Sequence, residues 1–331
     1  MSDRVAVTGG AGFIGSHLVD LLVEQGRSVR VVERPGAAVD HLPKGVEVVF
    51  ADIRRREGLP EAMAGCRHVY HLAANPNLWV RDRDEFEAVN HRGAIHVIEA
   101  ALEAGAERVL HTSTESILTR RIASGPINEE VEIQESDAVG PYCLSKLRAE
   151  NFAMEKGREG LPVVVANPTM PVGPGDRGPS PPTRLIRDFL AGRLPAVLDC
   201  TLNLIDVRDV ALGLTRVMER GRPARQHLLS GTNLTLLQLL QTLSSLTGVR
   251  TPRFRVPYAL GLGFAYLEEF WSDHVSGRPP KASVTGLKLA RRIMHFDPSQ
   301  TLRELQLTPR PIEESLRDAV AWLRTSPEPE S

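Results

Sequence analysis

The chain has 331 residues, 42% of them hydrophobic, enough to bury the core of one large α/β domain or two modest ones. Forty Lys and Arg against 41 Asp and Glu give a formal net charge of −1. That balance supplies no overall footprint for nucleic acid or an anionic membrane, leaves at most a local patch, and points to a small-molecule partner. Cys66, Cys143 and Cys200 are too few and too far apart for a disulfide framework or a metal cluster, which fits a reducing, cytoplasmic setting.

Apolar Val-rich runs alternate with helical patterns through the first half. "MSDRVAVTGG" enters a strand almost at once, which leaves no room for a signal peptide. "VAVT" is followed by a helix over 12–25, then the strands "SVRVVE" and "VEVVFAD", then a short helix over 57–64. "HVYHLAA" precedes a long amphipathic helix over 83–104, "RVLHTST" follows, and a helix from Pro141 to Gly157 leads into "PVVVAN". Short buried strands separated by helices predict an α/β fold, a doubly wound parallel sheet covered on both faces. Residues 1–167 read as a dinucleotide-binding domain, and 168–325 as a smaller C-terminal substrate-binding lobe interleaved with it.

Within the second part, "NPTMPVGPGDRGPSPP" is dense in Pro and Gly and predicts a loop. Helices follow over 182–191, 207–219 and "LTLLQLLQTLSSLTG". "VPYALGLGFAYLEEFW" is too short to span a membrane and carries Glu268 and Glu269. It reads as a helix packed on the lobe core, with a share in lining an apolar pocket as the alternative. Residues 326–331 read as a frayed tail. Ten His show no metal-ligand spacing, and His68, His71 and His111 read as packed side chains at strands.

The first βα turn, "TGGAGFIG", holds Gly9, Gly10, Gly12 and Gly15 between a strand and a helix. Gly10-x-Gly12-x-x-Gly15 in that context is the Rossmann dinucleotide fingerprint, in which glycines admit a pyrophosphate to a helix N-terminus. Glu33, at the end of the second strand, lies 18 residues past Gly15, where an acid holds the adenine ribose and repels a 2′-phosphate. The cofactor expected is therefore NAD, with Arg34 the neighbouring group able to receive the phosphate of NADP. Asp52 reads equally as an adenine contact and as a cap for a helix starting near Arg54.

Tyr142 and Lys146 are four residues apart on one helix face. An ammonium near a phenol favours the phenolate, which suits proton exchange with an alcohol. These motifs, with "HLAA" at 71–74, "VNHRGAIHVIEAA" at 89–101, "TST" at 112–114, "NLIDVRDVA" at 203–211 and "LTPRPIEESLRDAVAWL" at 307–323, run in order along nearly the whole chain. The chain resembles the extended short-chain dehydrogenase/reductases of the NAD-dependent epimerase/dehydratase family. Within it, the chain looks most like the branch of hopanoid-associated sugar epimerases, dihydroflavonol reductases and 3β-hydroxysteroid dehydrogenases.

The resemblance implies Thr114, with Ser113 as its neighbour in the count, as the hydroxyl that positions the substrate oxygen beside Tyr142 and Lys146. It also implies a cofactor site of Gly9, Gly12, Phe13, Ile14, Gly15, Glu33, Arg34, Asp52, Ile53, Ala73, Ala74, Tyr142, Lys146 and Asn167, with Asn90 in support and no metal. It further implies a homodimer formed through the helices over 83–104 and 141–157. Met170 stands where nucleotide-sugar enzymes carry an Asn toward the diphosphate, and a thioether cannot donate to a phosphate oxygen. Thr114-Glu115-Ser116 keeps one of the two acids that sugar dehydratases use, and Glu115 reads as a surface residue, with an extra acid or a substrate anchor as the alternatives. Asp206, where a His is common, reads as a helix cap. The expected activity is hydride transfer between a nicotinamide and a secondary alcohol or ketone. The alternative is an NAD-dependent sugar epimerase without net redox, and a third reading is a non-catalytic nucleotide sensor.

Overall fold

The computed structural model describes residues 3–119 and 125–326, so the predicted tail lies outside the described residues from 327 on. The strands are β1 (Arg4–Thr8), β2 (Ser28–Glu33), β3 (Glu47–Phe50), β4 (His68–His71), β5 (Arg108–Thr112), β6 (Val163–Pro168), β7 (Met170–Val172), β8 (Val197–Leu198), β9 (Thr201–Asp206), β10 (Leu228–Leu229), β11 (Thr232–Thr235) and β12 (Arg255–Val256). The central sheet has seven strands in the order β3-β2-β1-β4-β5-β6-β10. Every pair in it is parallel. This is the doubly wound Rossmann order, whose direction reverses between β1 and β4 and opens a crevice at the strands' C-terminal ends.

Alternation along β1 builds both cores. Val5 and Val7 pack on one side with Leu18 and Leu22 of helix Phe13–Glu24 and with Leu214 and Val217 of helix Val207–Arg220. Ala6 faces the other side with Met63, Ile98 and Ala101. The second half of the chain thus returns to the sheet, supplying both a covering helix and the edge strand β10. A three-stranded sheet, β11-β9-β7, stands apart with its own apolar cluster around Phe189, Leu240 and Leu316. Asp206 caps helix Val207–Arg220 by accepting from the Arg208 N–H.

Three expectations are corrected. The Pro- and Gly-rich run after Asn167 is not all loop: Met170–Val172 pairs in parallel with Leu204–Asp206, its prolyl residue tolerated at the sheet edge. The helix over 83–104 is not regular, since a wide π-type turn spans Glu87–Arg92 before the α-helix resumes at Gly93. The apolar stretch does form helix Tyr258–Trp271, but Ala265 alone of its residues is buried.

Candidate active site

The glycine turn is built by close approach. Gly9 has φ +71°, and a Cβ there would stand 2.7 Å from the Ala73 nitrogen at the end of β4. A Cβ on Gly15 would meet the Gly9 carbonyl oxygen at 2.0 Å, and one on Gly10 would meet Val31 at 2.7 Å. Gly12 is exposed, and a Cβ there would meet only the Gly9 oxygen, at 3.2 Å. Gly12 begins helix Phe13–Glu24 with no side-chain cap and no acidic residue in the first turn. The N–H groups around Phe13, Ile14 and Gly15 therefore face the crevice with the positive end of the helix dipole. A cradle without side chains at a helix N-terminus fits a dinucleotide pyrophosphate.

Glu33 does more than its position implied: its carboxylate accepts the Ala11 N–H at 2.9 Å and so clamps the loop. Arg34 beside it is exposed. Asp52 accepts the Arg54 N–H at 3.0 Å and pairs with the Arg54 guanidinium, which holds the carboxyl below its ordinary range. It closes a turn rather than capping a helix, since the next helix begins at Leu59. Ile53 packs beside Gly93, Ala73 donates its N–H to Thr8 Oγ1 at 3.3 Å, and Ala74 is partly buried.

At the C-terminal end of β5 the chain turns through a 3₁₀ turn, Glu115–Ile117, capped by Thr114. Tyr142 and Lys146 lie on helix Gly140–Arg158, which packs against that turn. The Thr114 and Ser116 hydroxyls both act on the Tyr142 phenol and favour its ionised form. Burial opposes them and pushes the phenol well above its ordinary value, with Cys143 and Glu115 adding in the same direction. Lys146, 4% exposed, donates from Nζ to the Thr112 carbonyl at 2.7 Å. Burial lowers its ammonium to about 8, partly offset by Glu150. Ser113, the neighbour in the count, is buried with no hydrogen-bond partner for its hydroxyl among the described residues.

Glu115 is not a surface residue. It is 7% exposed, and its carboxylate accepts the Thr114 hydroxyl at 2.9 Å. Burial raises its pKa to about 7. Neither Glu115 nor Ser116 stood among the expected site residues. The signal was present, because a Thr capping a turn whose next residues, Ile117 and Leu118, are apolar carries the intervening polar pair inward.

A second layer fixes the first. Asn90, in the π-type turn, accepts the Asn75 N–H at 2.7 Å and donates to the Asn75 carbonyl at 3.1 Å. Asn167 is fully buried and donates to Glu150 at 2.5 Å, so its side chain supports the Lys146 helix from beneath. His71 and His111 stand side by side on β4 and β5, ring centroids 5.4 Å apart. His71 Nδ1 pairs with Thr8 Oγ1 at 2.7 Å, and burial followed by the Lys146 charge lowers its pKa to about 3. Among the described residues, no group of three or more His, Cys, Asp or Glu is placed to hold a metal ion.

Known proteins resemble this chain along most of its length. Residues 5–228 match the model of the NAD dependent epimerase/dehydratase family. A Synechocystis sp. protein under the provisional name dihydroflavonol 4-reductase is 34% identical, over 98% of this chain and 95% of its own. Sterol demethylase protein B of Methylococcus capsulatus is 32% identical, over 96% and 97%. The crystal structure of gox2253 superposes with a TM-score of 0.86 at 32% identity, over 98% of each chain. By its sequence, its strand order and the match over most of its length, the chain belongs to the NAD-dependent epimerase/dehydratase family.

Proposed function

We propose that the protein is an NAD(H)-dependent oxidoreductase that interconverts a secondary alcohol and a ketone on a small molecule. The observation that carries this reading is the packing of the Thr114-capped turn, with its paired Thr114 and Ser116 hydroxyls, against the helix that carries the buried Tyr142 and Lys146 on one face. When bound, the nicotinamide supplies the hydride acceptor or donor at its C4. The chain's own residues handle the oxygen and its proton. Thr114 holds the substrate oxygen, Tyr142 takes the proton from the alcohol or returns it to the ketone, and Lys146 keeps a positive charge beneath the reacting pair. Gly9, Gly12 and Gly15 admit the pyrophosphate. Glu33 receives the ribose hydroxyls and disfavours a 2′-phosphate, so NAD is preferred over NADP.

The part of the chain after residue 168 closes the substrate side. The enzyme works in the cytoplasm as a homodimer paired through the helices over 84–103 and 140–158. Met170 in place of a diphosphate-binding Asn favours a substrate without a nucleotide, in keeping with the reductase names among the relatives. The test presents sterol-like ketones, dihydroflavonols and nucleotide sugars with NAD(H), following nicotinamide absorbance and product stereochemistry together. Stoichiometric absorbance change with a ketone or alcohol is expected. Interconversion of two sugar stereoisomers without absorbance change replaces this reading with the epimerase one.

A further inference from the structure

Nine large apolar side chains are exposed among the described residues, and eight of them fall between Phe254 and Val275. Five of these, Leu260, Phe264, Leu267, Trp271 and Val275, recur every three or four residues and form one stripe. The stripe runs for about 22 Å along the axis of helix Tyr258–Trp271 and the wide turn Ser272–Ser276 that continues it. Leu267 is 70% exposed and Trp271 58%. The opposite face is the packed one: Ala265 and Ser272 are buried, and Gly261 lies against Leu287. A folded chain rarely leaves an apolar stripe of this extent open to water.

The surrounding charge identifies what covers it. Between residues 250 and 292 the sequence has eight Lys and Arg against three Asp and Glu, a net +5 in a chain of net −1. The three acids are tied into the fold. Glu268 accepts the Lys281 N–H, Glu269 accepts the Val284 N–H, and Asp273 takes Trp79 Nε1 at 3.0 Å and the Arg83 guanidinium at 3.2 Å. The cations face outward: Arg250, Arg253 and Arg255 before the helix, and Arg278, Lys281 and Arg291 after it, are all exposed. Arg291 lies over the Tyr258 ring at 4.9 Å, which brings the later cations back to the helix start.

We infer that helix Tyr258–Trp271 is an interfacial helix that lies in the surface of an anionic phospholipid bilayer. An apolar stripe with aromatic residues, rimmed by exposed cations, matches the acyl boundary and the charged headgroups at once. No helix among the described residues is long and apolar enough to cross a membrane. The helix therefore lies on the surface, and the Trp79–Asp273–Arg83 cluster holds it rigidly to the body of the protein. It sits on the site's side of the molecule, because Thr285 in the following helix abuts Gly140, two residues before Tyr142. This inference stands independently of the redox reading.

The test is flotation of the intact protein with vesicles of phosphatidylcholine alone and of phosphatidylcholine with phosphatidylglycerol. Binding to the anionic vesicles, weakened at least tenfold on the neutral ones, is expected. L267D/W271D is expected to lose at least tenfold in binding to anionic vesicles while keeping its melting temperature, since both side chains are exposed. R253E/R255E is expected to lose binding at low salt. Failure of the wild type to float with anionic vesicles, or flotation unchanged in L267D/W271D, overturns the inference. So does a stable dimer that ignores vesicles and falls apart in L267D/W271D, which assigns the stripe to a second copy of the chain.

Discussion

The proposed cofactor cradle and the proposed catalytic cluster lie at the same edge of one sheet and are made in opposite ways. The cradle is made by leaving side chains out: Gly9, Gly12 and Gly15 let backbone approach backbone, and its charge comes from uncapped N–H groups. The cluster is made by packing polar and ionisable side chains in: Thr114, Glu115, Tyr142 and Lys146 are each less than a tenth exposed. A site made of absent atoms fails by steric intrusion. A site made of buried charge fails by a wrong proton count. Substitutions in the two regions should therefore leave different signatures.

The largest effect belongs to the cluster. Tyr142→Phe keeps the ring against Phe86, 6.1 Å between centroids, and removes only the exchangeable proton. Turnover should fall by about two to four orders of magnitude, while nicotinamide fluorescence titration shows cofactor affinity unchanged. If activity and affinity fall together, the two regions are not separable in this way.

The cradle should break by geometry. Gly9→Ala places a Cβ 2.7 Å from the Ala73 nitrogen at a φ of +71°. Strain of about 1–3 kcal/mol, carried into binding, corresponds to roughly a fivefold to 140-fold loss in cofactor affinity, with a lower melting temperature. Gly12→Ala fills the crevice itself without a comparable clash, so it should weaken the cofactor and leave the melting temperature alone. Equal loss of thermal stability in both variants would contradict the assignment of Gly9 to close packing and Gly12 to the ligand.

These two regions also differ in how legible they were. Glycine spacing, the flanking strand and helix, and Glu33 were local signals, and each stands where it was expected. The parallel sheet was legible for the same reason, because its strands are short Val-rich runs between helices. Glu115 was legible only in part: the Thr114 cap and the apolar Ile117 and Leu118 turn it inward, but its full burial depends on helix Gly140–Arg158 arriving from 25 residues further along. The exposure of helix Tyr258–Trp271 was hidden by the same limit. Apolar composition announces burial, and only the tertiary structure shows that Leu267 and Trp271 stay exposed among the described residues.

Glu115→Gln sharpens the contrast at smaller scale. Its carboxyl titrates at about 7, so the Thr114 hydroxyl donates to a carboxylate above that pH and faces a neutral acid below it. A neutral amide holds one state throughout. The expected result is a loss in kcat/KM of about tenfold or less, roughly 1.4 kcal/mol of barrier, with the pH–rate inflection near 7 removed. An inflection that survives the substitution belongs to another group.

The smallest effect tests what joins the two regions. His71 pairs with Thr8, whose hydroxyl also takes the Ala73 N–H of the cradle wall, and it lies within the field of Lys146 in the cluster. Its folded pKa of about 3 lies below the ordinary 6.5, and that of buried His227 is lowered to about 4. Between those values and 6.5 the unfolded chain binds protons that the folded chain refuses. The stability from keeping these rings neutral is therefore fully present above pH 6.5 and is lost progressively as pH falls toward 4. The melting temperature should drop by several degrees between pH 7 and pH 5. His71→Asn preserves an amide for Thr8 and cannot take up a proton, so its melting temperature should fall less steeply over the same range. An unchanged slope in that variant would mean that the acid sensitivity lies with other groups, and that the cradle and the cluster are not coupled through His71.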